Sequence, residues 1–328
     1  MVKNLVPKQL KEKLQPYYEK RIARKLIDFD AKRFIKHGFG LTDNVNTADQ
    51  LEGRIIKAYH SLEKGFSYQN FRYGFGKGVL AELLELLEIY NEKKYRTDQP
   101  VYQTALSNLY QYIEIHEENG HNVDELKERV QNLGHTTNKD GGVIWLTKED
   151  IFEAAESDFK DFSLSRHSVR DYSSEPVDME LIEKALKLAA NTPSACNRQP
   201  WKVRIVEDKK LKKTIQNNQN GNRGFGDYID KFIIITSDIS NYARNRERNQ
   251  ANIDGGMYAM NLIYSLHYYK IATVPLSASL GLVQEKNLRE AFDVAESENF
   301  IMFIGIGNYI DDFKVPISHR RQPKYEVY

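Results

Sequence analysis

Apolar residues recur along the first 135 positions at the three-and-four spacing that gives a helix one buried face. Val79, Leu80, Leu83, Leu84, Leu86 and Leu87 form a dense stripe of this kind, and a second amphipathic run extends from Tyr102 to about Glu118. A third short helix is predicted over Asp124–Leu133. The stretch from Thr136 to Gly142 is polar and rich in turn formers, which sets a boundary between a mostly helical domain of unassigned role at 1–142 and a second domain at 143–328. Thr147, followed by Glu149 and Asp150, reads as a helix start leading through Ile151 to Phe159. Helices and strands then interleave. Asp178 caps a helix over Met179–Ala190 with Ile182, Leu186 and Ala189 on one face, Trp201–Val206 alternates like a half-buried strand, and Phe232–Thr236 is apolar throughout, as a central strand is. A long helix from about Asn249 to Tyr269, a turn around Val274 and Pro275, a helix over Glu285–Phe292 and a strand over Phe300–Gly305 complete an α/β or α+β core.

Composition narrows the classes of function. Hydrophobic residues make up 41% of the 328 positions and charged residues 28%, with a formal net charge of +1. That balance gives no broad attraction to nucleic acid or an anionic membrane, so any basic groups that matter act locally. Cys196 is the single cysteine, which excludes an intrachain disulfide and a cysteine-rich metal site and suits a reducing cytoplasm. No apolar run is long enough to span a bilayer, and Met1–Pro7 lacks the apolar core of a signal peptide. The expected setting is cytoplasmic, without membrane, nucleic-acid or metal partners.

Candidate chemistry concentrates in Arg166-His167-Ser168-Val169-Arg170-Asp171-Tyr172. In an extended segment Arg166, Ser168 and Arg170 leave one face, presenting two guanidinium groups and a hydroxyl suited to a phosphate. Taken alone, the same pattern also describes a solvated surface strand. About twenty residues later comes Pro193-Ser194-Ala195-Cys196-Asn197-Arg198-Gln199-Pro200-Trp201, and near the end of the sequence Ser318-His319-Arg320-Arg321-Gln322-Pro323.

Together these motifs resemble the FMN-dependent nitroreductase family, whose chains carry Arg-x-Ser-x-Arg/Lys-x-aromatic, then Pro-Ser-x-x-Asn-x-Gln-Pro-Trp, and close with a basic-x-Arg-x-Pro segment. The resemblance covers about residues 160–326. It implies an α+β nitroreductase-like fold, an antiparallel-dominated sheet flanked by helices and dimerised through the long central helix. It implies noncovalent FMN held by Arg166, His167, Ser168 and Arg170, with His319 and Arg321 completing the phosphate site. Pro193, Ser194, Ala195 and Asn197 would reach the flavin of the other subunit in a homodimer. Asn222 matches a flavin-ring-binding asparagine, and the backbone of Ser277 matches the donor near the reactive flavin nitrogen. His319 stands where a lysine is frequent, which makes part of the charge compensation depend on pH. Lys270-Ile271-Ala272-Thr273 replaces the family's glycine-rich turn. The small residues of Asp254-Gly255-Gly256 are expected to allow close packing at the dimer axis.

The resemblance further implies ping-pong chemistry, in which NADH or NADPH reduces the flavin and a small organic acceptor, such as a nitro compound or quinone, is reduced in turn. No side chain is expected to act as a catalytic residue, because the cofactor carries the chemistry. Cys196 has no neighbouring histidine to activate it and reads as a packed small residue. His60-Ser61-Leu62-Glu63-Lys64-Gly65, followed by Tyr68, Phe71, Tyr73 and Phe75, reads chiefly as a helix end capped by Gly65, with a substrate-facing role as the alternative. The competing reading of the whole chain is a flavin-binding interaction or assembly protein with little turnover. It draws on a similarity between chains that join an HSLEKG-containing region to such a domain and some proteins of bacterial polysaccharide biosynthesis.

Overall fold

The computed structural model describes residues 8–37, 47–242 and 244–328. Met1–Pro7, read above for a signal sequence, lies outside them. Among the described residues the first part of the chain is helical: α1 (Lys8–His37), α2 (Ala48–Phe66), α3 (Lys77–Glu92), α4 (Pro100–Glu118) and α5 (Asp124–Leu133). The leucine stripe falls on α3. There Leu80, Leu83, Leu84, Leu86 and Leu87 are buried against Leu51, Ile55 and Leu62 of α2, Tyr102, Leu106 and Leu109 of α4, and Val130 of α5. Each such side chain contributes about 1.5–3 kcal/mol by leaving water, which is why a dense stripe predicts a helix that packs on others. A capping box starts α2, Thr47 Oγ1 accepting from Gln50 N and Gln50 Oε1 accepting from Thr47 N, both at 3.2 Å.

Gly65 does not cap this helix. The helix continues through it to Phe66 and is closed by Ser67, whose N–H donates to Glu63 O at 3.2 Å. The glycine serves close approach, since a Cβ there would collide with the Phe75 ring.

The second part opens with β1 (Val143–Thr147), followed by α6 (Lys148–Ala155), α7 (Phe159–Ser165), α8 (Met179–Ala189), β2 (Trp201–Val206), α9 (Lys209–Asn218), β3 (Lys231–Asp238), α10 (Gln250–Tyr268), β4 (Ala272–Ser277), α11 (Leu282–Phe292), β5 (Glu298–Gly307) and β6 (Asp312–Pro316). A four-stranded antiparallel sheet runs in the order β2-β3-β5-β4, and β1 pairs separately with β6, Val143 opposite Pro316. Alternation along β3 sets up the layers. Ile233 and Ile235 face α8 and α10, whereas Phe232 and Ile234 face the side that includes Ile215 of α9 and Leu288 of α11. Gly255 lets α10 lie close on this sheet, because a Cβ would sit 2.7 Å from Ile301 Cγ1. Gly256 has nothing within 4 Å, so of the two expected to pack at a dimer axis one packs inward on its own sheet.

Two further expectations are corrected. The helix predicted from Thr147 to Phe159 ends at Ala155, and a new helix begins at Phe159 because Asp158 Oδ1 accepts from Lys160 N at 2.9 Å and Asp161 N at 3.2 Å. The turn predicted around Val274 and Pro275 is the strand β4, with Pro275 opposite Ile304. A proline fits because β4 lies at the sheet edge, where a missing N–H need not break a ladder.

Across the other side of the sheet, Glu298 of β5 is 2% exposed at its side chain and binds Arg204 Nη1 at 2.9 Å, Lys202 Nζ at 3.0 Å and Thr236 Oγ1. Burial alone would push this carboxyl up, but hydrogen bonds from Arg204, Thr236 and Lys202 outweigh it and hold the group at about 2, below its ordinary 4.5. Its stabilising contribution is therefore complete above about pH 4.5 and disappears as the pH falls towards 2. Glu298→Ala strands Arg204 and is expected to cost about 3 kcal/mol or more at pH 7, measured by urea denaturation, with the difference from the unsubstituted protein shrinking below pH 4.

Candidate anion-binding site

The first motif follows α7 directly and the last follows β6, and the fold brings the two together. Arg166, His167 and Ser168 line one cavity with Pro316–Arg320, closed by Ser163 of α7 and by Met260 and Tyr264 of α10. Its volume is about 560 Å³. The Arg166 segment is fixed at its centre by Val169 N donating to Thr273 O of β4 at 2.9 Å, and by Tyr172 Oη donating to Val169 O at 2.7 Å.

This cavity carries positive charge without an internal counterion for Arg166. Among the described residues Arg166 forms no ion pair, and its buried Nη1 makes no hydrogen bond; the buried His319 Nε2 makes none either. Burial, then the like charge of Arg320, lowers the pKa of Arg166. The same causes, burial followed by Arg166 and Arg320, push His167 down to about 4. His267 of α10, which lies 2.8 Å from Ser165 Oγ through Nε2, is likewise pushed to about 4 by burial and then by Arg166. At neutral pH the two imidazoles are therefore uncharged while the guanidinium stays ionised. A half-buried cation with a buried, unused donor is costly unless an anion meets it, so the donor set and volume fit a phosphate group on a larger ligand.

His319 and Arg321 are reached by acids from the helical part of the chain. His319 Nδ1 is 3.5 Å from Asp140 Oδ2, and Arg321 Nη2 is 3.3 Å from Glu52 Oε2 of α2. Arg321 is thus turned to α2, while Arg320, not singled out by the sequence reading, lines the cavity.

Arg170 lies apart from that cavity lining. It is 6% exposed, donates through Nη1 to Ser168 O at 3.1 Å, leaves Nε without a partner, and sits 5.6 Å from the centre of the Phe225 ring. The Tyr68 ring of the helical part approaches Phe225 to 6.0 Å. It fits because Gly224, at φ +89, has no Cβ, which would stand 2.8 Å from the Tyr68 ring. Asn70 hydrogen-bonds Tyr228 beside it. Asn222 is buried, and its amide is committed to its own loop, donating to Gln216 O and Gln219 Oε1 at 3.2 Å each. Gln219 Nε2 then donates to Ser277 O at 3.0 Å, so Asn222 and Ser277 are brought together through Gln219.

Pro193–Gln199 forms a third location. Ala195 N donates to Asp254 Oδ2 of α10 at 3.1 Å, Gln199 N donates to Ser194 Oγ at 2.9 Å, and Arg198 pairs with Glu247 at 2.6 Å. Cys196, Asn197 and Gln199 all have left-handed backbones, φ 53, 56 and 48, which costs about 1–2 kcal/mol each for residues with a Cβ. Pro193, Cys196 and Asn197 are exposed, so Cys196 is not the packed residue expected, and none of the segment lines the cavity. A strained loop held open to solvent is a common mark of a functional segment.

Sequence comparison agrees with this concentration of features. The model of the Nitroreductase family matches residues 164–222. An iodotyrosine deiodinase from Nematostella vectensis is 25% identical over 221 residues, covering 55% of this chain and 77% of that protein. An NADH dehydrogenase from Thermus thermophilus is 37% identical over 59 residues, 18% of this chain and 29% of that protein, so this match spans less than a third of its length. Among solved structures, an FMN-dependent nitroreductase from Clostridium difficile R20291 is 19% identical with a TM-score of 0.40, covering 51% of this chain and 90% of that one. The stretch that matches the Nitroreductase family model holds both the Arg166 wall of the cavity and the strained loop.

Proposed function

We propose that the chain is an FMN-dependent oxidoreductase that uses NADH or NADPH to reduce a small organic acceptor. The observation that carries the reading is the half-buried Arg166, whose buried Nη1 makes no hydrogen bond, lining one cavity with the His319 segment inside sequence that matches the nitroreductase family. Arg166, His167, Ser168, His319 and Arg320 would hold the FMN phosphate, with Arg321 behind them. Arg170, Asn222 and the backbone at Ser277 would stand nearer the ring system. FMN, when bound, supplies the chemistry of hydride exchange between the nicotinamide and the acceptor.

What the chain itself contributes is position and field. Arg166 meets the phosphate charge in a site where the two neighbouring imidazoles are neutral near pH 7, so the guanidinium carries the attraction without their help. The ring pair Tyr68 and Phe225 walls the region beside Arg170 against water, which strengthens any contact this guanidinium makes. No side chain need form a covalent bond.

Pairing with a second copy completes the reading. Ile253, Met257, Met260 and Tyr268 leave an exposed apolar stripe along α10, and the strained Pro193–Gln199 loop is tethered to the same helix by Asp254. In a homodimer this stripe would be covered and the loop would reach the partner's site. We further propose that residues 1–142 and 143–328 are two domains, and that the setting is cytoplasmic.

Anaerobic addition of NADH or NADPH to the flavin-loaded protein tests the reading. Bleaching of the flavin absorbance followed by recovery on addition of a quinone or nitro compound is expected; a stable yellow protein that neither nucleotide bleaches would instead favour a binding or assembly role. Arg166→Ala should weaken FMN affinity by about 1.5–3 kcal/mol, read by flavin fluorescence titration, while far-ultraviolet circular dichroism stays unchanged. Sedimentation at micromolar concentration should give a dimer, and a monomer that still holds one FMN per chain would remove the shared site.

A further inference from the structure

The segment 67–76 joins α2 to α3 and is held on two sides. On one side the Tyr68 ring lies 6.0 Å from that of Phe225 and Asn70 hydrogen-bonds Tyr228, both in the second part of the chain. On the other side the segment is fastened to α4. Gly74 N donates to His116 Nε2 at 2.8 Å, and Tyr112 Oη donates to Phe75 O at 3.0 Å. Gly74 has φ +72, a turn geometry that glycine adopts without strain. The rings of Phe71, Tyr73 and Tyr112 surround the imidazole, with centroids at 6.1, 5.6 and 3.9 Å.

These bonds fix the ionisation state of His116 by geometry. A backbone N–H only donates, so Nε2 is bare, and Tyr112 O only accepts, so the ring proton sits on Nδ1, 2.7 Å away. Both bonds exist together only in the neutral ring. His116 is 1% exposed and forms no ion pair among the described residues. The charged groups around it do not supply a counterion. The adjoining cavity, of about 500 Å³, is lined by Lys77, His121, Glu125 and Arg129 beside Tyr73 and Tyr112. Lys77 adds like charge, Arg129 is paired with Glu88 at 2.7 Å, and Glu125 is exposed. Glu117, next along α4, is exposed and pairs with Lys127 at 2.7 Å. Burial lowers the pKa of His116 from its ordinary 6.5; the bond to Tyr112 O opposes this, and the charge of His121 adds to it. A proton placed on Nε2 would break the Gly74 bond and leave a buried charge without a partner.

We propose that the 67–76 segment is a strap latched by neutral His116 and released when that imidazole takes a proton, which draws Tyr68 and Asn70 away from Phe225 and Tyr228. Opening exposes the imidazole to water, where it binds a proton at its ordinary value, so the closed strap excludes one proton. Closure is therefore complete above about pH 6.5 and weakens as the pH falls below it. His116 is a positioning residue in this scheme, acting through the strap and not by contact with a ligand. An effect on turnover rests on the oxidoreductase reading, in which the flavin ring system would lie near Arg170; the latch itself does not.

Amide hydrogen exchange on the full-length protein, corrected for the intrinsic rate at each pH, tests the latch without any turnover. Protection of Gly74 and its neighbours in 67–76 is expected to fall about fivefold or more from pH 7.5 to 5.5, the linkage of one proton, while α3 and α4 keep theirs. His116→Gln can accept from Gly74 N and donate to Tyr112 O without titrating, so it should hold the strap equally at both pH values. Nitrogen NMR of the unsubstituted protein should show His116 protonated at Nδ1 alone at pH 7.5. Protection that does not change with pH overturns the proposal. An equal fall in His116→Gln also overturns it, by moving the effect to another group such as His121, and so does protonation of Nε2 at pH 7.5. Strap release at pH 5.5 in a protein whose flavin neither nucleotide bleaches supports the latch and sinks only the oxidoreductase reading.

Discussion

The structure is organised around a positive charge that the protein does not neutralise. Arg166 is pulled into a cavity wall between α7, α10 and the segment after β6, and its Nη1 is left without a partner among the described residues. Proteins rarely tolerate this, since a desolvated cation with an idle donor is unfavourable by several kcal/mol. The surrounding groups do not relieve it. His167 and His267 are held neutral by burial and by Arg166, and the charge of Arg320 adds to the field. The fold stores the means to bind an anion, and the packing of α10 on the sheet through Gly255 helps keep that arrangement fixed.

The helical part is built into this arrangement. Glu52 of α2 reaches Arg321, Asp140 reaches His319, and Tyr68 and Asn70 meet Phe225 and Tyr228. The two acids, which do not line the cavity, hold the terminal basic segment without occupying His319 Nε2, which is buried and makes no hydrogen bond. The first part of the chain therefore touches both regions implicated in binding, and its own apolar core, centred on α2, α3 and α4, gives those contacts a rigid base.

Much of this was legible in the sequence, for identifiable reasons. The α3 stripe, the Asp178 cap and the apolar β3 run are local patterns whose period or chemistry fixes one element. The basic motifs were legible only in combination with the Pro193–Trp201 segment and the resemblance the motifs carry together, since guanidinium groups at alternate positions also describe a solvated strand. What escaped depends on contacts distant in sequence. Pro275 reads locally as a turn, and only the edge position of β4 makes it a strand residue. Gly65 reads as a cap, and only the Phe75 ring explains it otherwise. Glu52 and Asp140 carry no local mark at all, because an acid on a helix or in a connecting loop is usually solvated. The short strands β1 and β6 stabilise each other across 165 or more positions, a pairing with no signature in either segment. Arg320 was passed over for Arg321 although they are adjacent, since a one-residue difference in an extended segment reverses which side each faces.

If the cavity is a phosphate site for a mononucleotide flavin, its affinity must depend on the phosphate itself. Fluorescence titration of the flavin-free protein with FMN and with riboflavin, which share the ring system and differ only in that group, measures this directly. The account predicts that FMN binds about 100-fold or more tightly than riboflavin, the combined worth of at least two charge-assisted contacts. Equal affinity for the two would contradict it, because Arg166 and the segment around His319 would then have no part in holding the ligand.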